Sequence, residues 1–63
     1  MMENDVLSKK EACKFLKISI ATLDRLIRRK EIPFLKLNGR VLFLREDLIK
    51  WLKSKRVVNP DEI

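Results

Sequence analysis

The sequence predicts a mainly α-helical domain carrying one small β-hairpin, and three observations predict it. Two amphipathic segments, residues 9–17 and 20–30, are separated by only two residues. Asn38-Gly39 divides two short β-prone runs, and a third amphipathic segment opens at Arg45. Apolar spacing of three and four residues reads as helix, and Asn-Gly between β-prone runs reads as a two-residue hairpin turn.

The first helix starts at a capping box. In Ser8-Lys9-Lys10-Glu11 the Ser8 oxygen can accept from the Glu11 N–H while the Glu11 side chain reaches back to the Ser8 N–H. Ala12, Phe15 and Leu16 share one face, opposite Lys10, Lys14 and Lys17, so the helix is expected to run to about Lys17. Ser19 is placed to cap a second helix from Ile20 to about Lys30, where Glu31 and Pro33 end it. Its apolar stripe is Leu23, Leu26 and Ile27. With only Lys17 and Ile18 between them, the two helices must meet at a sharp angle, as in a helix-turn-helix unit.

Beyond Pro33, Phe34-Leu35-Lys36-Leu37 and Arg40-Val41-Leu42-Phe43 flank Asn38-Gly39, which predicts two strands joined by a type I′ turn. The third helix follows from Arg45-Glu46-Asp47, whose carboxylates suit a helix N-terminus. It presents Leu48, Trp51 and Leu52 to the core, and Lys53, Lys55 and Arg56 suit its end. Residues 1–6 are expected to be an N-terminal extension, 7–56 the domain, and 57–63, with Asn59-Pro60, a frayed C-terminal tail. The whole is a winged helix-turn-helix: helix-turn-helix, two-stranded wing, C-terminal helix.

Sixty-three residues make one small domain, and 46% hydrophobic residues are enough for a core of its own. The absence of histidine removes the imidazole base and the Cys/His zinc cluster, and one cysteine forms no internal disulfide. An enzyme is therefore not expected, nor a cofactor, a metal or a small-molecule ligand. No apolar run approaches the roughly 20 residues of a bilayer crossing, so the expected location is the cytoplasm and no membrane partner is expected. Cys13 borders the first helix's apolar face and reads as a small hydrophobe, and Trp51 reads as packing.

The charge points to a polyanion. The formal net charge is +6, and residues 14–40 account for all of it, with eight Lys and Arg against Asp24 and Glu31. A solvated basic surface fits the charge alone equally well. On the second helix, Ala21, Arg25 and Arg28 recur at i, i+4 and i+7 opposite the apolar stripe, flanked by Thr22, Asp24 and Arg29. Small residues at a helix start allow close approach to base edges, and arginines reach guanine O6/N7 or phosphates in a major groove. Asp24 either accepts from a cytosine amino group or pairs with Arg28 one turn on. Arg40, beside the Asn-Gly turn and near Lys36, is placed to clamp a phosphate or enter a minor groove. The alternatives are an ordinary exposed helix face and a solubilising hairpin tip. Ser19, at the helix start, completes the expected DNA-binding set.

In order and spacing, Leu7-Ser8-Lys9-Lys10-Glu11-Ala12, Ile18-Ser19, Thr22-Leu23-Asp24-Arg25-Leu26-Ile27, Glu31-Ile32-Pro33, Asn38-Gly39-Arg40-Val41-Leu42-Phe43, Arg45-Glu46-Asp47-Leu48 and Trp51-Leu52 resemble the excisionase family of DNA-binding domains, small relatives of the MerR-type winged helix. The resemblance covers about residues 7–54. It departs at Lys17 and Lys30, where the family usually has Gly, and at Ile20 and Asp24, where it favours a basic or polar residue and an aromatic. A lysine in left-handed geometry costs about 1 kcal/mol. The resemblance implies sequence-specific binding of double-stranded DNA as an accessory factor for site-specific recombination of a mobile element. The implied partners are an integrase or recombinase, or further copies of the protein on repeated DNA sites. The alternative is a small transcriptional regulator of phage or plasmid type using the same surface.

Overall fold

The computed structural model describes residues 5–57; the expected tail beyond Val57, and residues 1–4 of the expected extension, lie outside the described residues. The chain forms β1 (Val6–Ser8), α1 (Lys9–Leu16), α2 (Ile20–Arg28), β2 (Leu35–Leu37), β3 (Arg40–Leu44) and α3 (Arg45–Ser54). The three strands make one antiparallel sheet in the order β1-β3-β2. The expected helix-turn-helix, hairpin and final helix are all present. The added feature is β1, which turns the two-stranded wing into a sheet with β3 at its centre.

Three residues are too few to show a period-2 pattern, so β1 has no sequence signature of its own. It exists because Leu7 pairs with Phe43 and both are buried. Val6, expected in the N-terminal extension, pairs with Leu44. Immediately afterwards the capping box forms as expected: the Ser8 N–H donates to Glu11 Oε1 (2.8 Å) and the Glu11 N–H donates to Ser8 Oγ (3.2 Å). The strand therefore passes into α1 without a loop.

Both interhelical and post-helical turns use left-handed lysines. Lys17 has φ 60°, and the Ile18 N–H donates back to the Cys13 carbonyl at 3.1 Å. Lys30 has φ 56°; its N–H donates to the Ile27 carbonyl and the Glu31 N–H to the Leu26 carbonyl, the paired bonds of a Schellman ending. These bonds end α2 at Arg28, two residues before the expected limit. The reason is Ile32, which is 4% exposed: the chain must reverse at once to bring it into the core. Pro33 lies beyond the stop and does not cause it.

At the hairpin, Asn38 (φ 52°) and Gly39 (φ 74°) both take the positive φ of a type I′ turn, and Leu37 pairs directly with Arg40. The core gathers Leu7, Ala12, Leu23, Ile32, Phe43 and Leu48, with Phe15, Leu26, Ile27 and Trp51 packed against it. Cys13 is half-buried among these apolar neighbours. The Trp51 indole N–H donates to the Glu31 carbonyl at 2.7 Å, so α3 pins the chain just after the α2 turn. Leu52, expected on the core face of α3, is 41% exposed. One narrow stripe, Leu48 and Trp51 at i and i+3, is all of α3 that so small a core covers.

The two left-handed lysines give a stability prediction. Glycine has no Cβ penalty at positive φ. Lys17→Gly and Lys30→Gly are each expected to raise unfolding free energy by about 0.5 to 1 kcal/mol, read from urea denaturation. A loss of stability in either would show that its lysine makes a contact worth more than the strain it carries.

Candidate nucleic-acid interface

The interface begins at the cap of α2. The Thr22 N–H donates to Ser19 Oγ (3.1 Å), and the Ser19 hydroxyl in turn donates to Thr22 Oγ1 (3.0 Å). This fixes the first turn and engages both hydroxyls with each other. Leu23 is fully buried, with Leu26 and Ile27 half-buried beside it, and that stripe sets the rotation of the helix. Ala21, Arg25 and Arg28 therefore face outward, all exposed. Arg29 is the C-cap rather than a member of the helix face, although it too is exposed.

Asp24 has a different partner from the one that helical spacing offered. Its Oδ1 lies 2.6 Å from Lys9 Nζ, on the first turn of α1, in place of the expected alternative, Arg28. Side chains 40% and 45% exposed hold this pair, so solvent screens it and its stability contribution is at most about 1 kcal/mol. Its geometric effect is larger, because it ties the start of α1 to the flank of the α2 face.

On the wing, Lys36 and Arg40 are exposed. The I′ turn and the Leu37–Arg40 pair fix the backbone from which Arg40 projects. A groove separates the wing tip from α1: Ser8, Lys9 and Lys10 form one wall, and Gly39, Arg40 and Val41 belong to the other. The sequence-derived residues thus fall in two groups, the α2 face and the wing. Lys9 and Lys10 stand between them; the sequence showed Lys9 only within the capping-box segment and Lys10 only on the polar side of the first helix. The signal that brings them in is the β1–β3 register, with Ser8 opposite Leu42, which exists only in three dimensions.

A compact helix-turn-helix with a winged sheet, whose second helix turns a basic face outward, defines a DNA-binding helix-turn-helix domain. The chain belongs to this class by family as well: the family model described as a helix-turn-helix domain matches residues 6–56, in accord with the resemblance to excisionase-type domains. Searches of the curated proteins and of the solved structures gave no match. Among the described residues no helix is long and apolar enough to cross a membrane.

The exposure of the Lys9–Asp24 pair predicts a small effect on folding. Asp24→Asn is expected to lower unfolding free energy by no more than about 1 kcal/mol, measured by chemical denaturation. A loss of about 3 kcal/mol would mean that the pair is part of the core architecture.

Proposed function

We propose that the domain binds double-stranded DNA sequence-specifically, with α2 in the major groove and the wing on the adjacent backbone or minor groove. In this reading Ser19, Ala21 and Thr22 approach the bases at the helix start, Arg25 and Arg28 read guanine edges or hold phosphates, and Arg29, Lys36 and Arg40 hold the backbone. The observation that carries it is the exposed Ala21–Arg25–Arg28 face, directly opposite the buried Leu23 stripe, together with the exposed cations of the wing. Asp24, paired with Lys9, acts on this surface by position and charge rather than as a reader of bases.

The role that fits such a domain, given the resemblance to excisionases, is that of an accessory factor in the cytoplasm. It would organise DNA for the recombinase of a mobile element, in contact with that enzyme or with further copies on repeated sites. A single small DNA-binding module has a limited footprint, which favours binding alongside such partners. Transcriptional regulation by the same surface is the alternative, and a pull-down with the recombinase against a promoter-repression assay separates the two.

DNA binding is tested by fluorescence anisotropy with duplexes selected from a random pool. If about six phosphates are neutralised, affinity is expected to fall by about 10³-fold between about 50 and 200 mM salt. A flat salt response would count against the reading.

Reading and holding separate by mutation. Arg25→Ala is expected to cost about 1 to 3 kcal/mol on the selected site and to relax base preference. Lys36→Ala is expected to weaken selected and random duplexes equally, lowering the salt slope by about one. Equal losses on both duplexes for Arg25→Ala would reduce that arginine to a phosphate contact.

A further inference from the structure

The groove between the first turn of α1 and the wing tip is lined by three cations, Lys9 and Lys10 from one wall and Arg40 from the other. Lys9 is taken up by an ion pair with Asp24. Among the described residues neither Lys10 nor Arg40 has a carboxylate partner. Like charges on opposite walls repel, and an anion between them turns that repulsion into two attractions.

Local structure holds both walls in place before anything binds. Arg40 follows a type I′ turn and pairs with Leu37, so its backbone is part of the ladder. Lys10 sits in a helix turn locked by the reciprocal Ser8–Glu11 bonds. Those bonds also use the amides of Ser8 and Glu11 and turn the Glu11 carboxylate onto the Ser8 N–H. The amides of Lys9 and Lys10 remain as first-turn donors with no acceptor inside the helix, at its positive end. The lining is polar on the α1 side and made of Ser8, Lys9 and Lys10, which suits a compact oxyanion rather than an apolar ligand.

We propose that this groove seats one phosphodiester of bound duplex DNA, with Lys10 and Arg40 closing on it from opposite walls. The inference rests on the DNA-binding reading above and adds a specific contact to it. Its position gives it a purpose. The Lys9–Asp24 pair joins one wall to the flank of the α2 face, and the other wall is the wing itself. A backbone strand running from the major groove read by α2 to the wing passes over this groove. Holding one phosphate there sets the register between the two halves of the interface.

The test replaces single phosphates of a selected duplex with uncharged methylphosphonates, one at a time, and measures binding of the parent, Lys10→Ala, Arg40→Ala and, as a control, Lys53→Ala at the end of α3. All three substituted positions are exposed, so folding is checked by thermal melts and expected to be unchanged. The parent is expected to lose about tenfold in affinity at one phosphate position flanking the α2 site. Lys10→Ala and Arg40→Ala are each expected to lose most of that sensitivity at the same position, while Lys53→Ala keeps it. If Lys10→Ala binds as tightly as the parent, or if its sensitivity profile is the same, the seat is wrong while the DNA-binding reading stands. A parent that binds no duplex overturns both. Inorganic phosphate at matched ionic strength is expected not to compete; competition would make the groove a site for free phosphate and overturn the assignment to the DNA backbone.

Discussion

The burial of Phe43 is the constraint on which the remaining structure depends. It sits on β3, the central strand, pairs with Leu7 on β1, and is wholly removed from solvent in one cluster with Leu23 of α2 and Leu48 of α3. Burying a side chain of this size is worth about 2 to 3 kcal/mol, a large share of the stability of a domain this small. Its consequence is geometric. The wing strand β3 and helix α2 meet in the same core, so their separation and mutual rotation are set by apolar packing. Lys10, Arg25, Arg28, Lys36 and Arg40 lie outside that core and are exposed.

This division explains how a chain with a net charge of +6 folds with no buried ionic group among the described residues. Among the described residues the six buried ones are all apolar, and no buried side-chain polar atom lacks a partner. Polar detail is spent on ends and turns. Ser8 and Ser19 start the two helices, the indole of Trp51 holds the Glu31 carbonyl, and left-handed lysines reverse the chain twice. Each fixes the direction in which a helix leaves the core, and the direction of α2 decides where Arg25 and Arg28 point.

Most of these elements were legible because their signals are local. Capping serines and Asn38-Gly39 act within a few residues and appear where the sequence put them, and helical spacing placed the three helices, though not the end of α2 or the exposure of Leu52. What escaped is non-local. Strand β1 exists through its pairing with β3, and Asp24 reaches Lys9, fifteen positions away in sequence, because the two helices cross there. The earlier end of α2 follows from the pull of Ile32 toward the core, which competes with helical propensity and wins. For the interface, the α2 face and Arg40 were readable from periodicity and turn chemistry. The position of Lys9 and Lys10 beside the wing was hidden, since only the folded sheet brings the start of α1 there.

The central claim is that one surface, running from the α2 face across the start of α1 to the wing tip, meets the DNA. It is tested most directly by titrating isotope-labelled protein with duplex DNA and following backbone amide shifts by NMR. The amides of residues 19–29, 8–10 and 38–41 are expected to move together, with those of 49–54 on α3 left in place. Shifts centred on α3, with the α2 and wing amides unmoved, would contradict it.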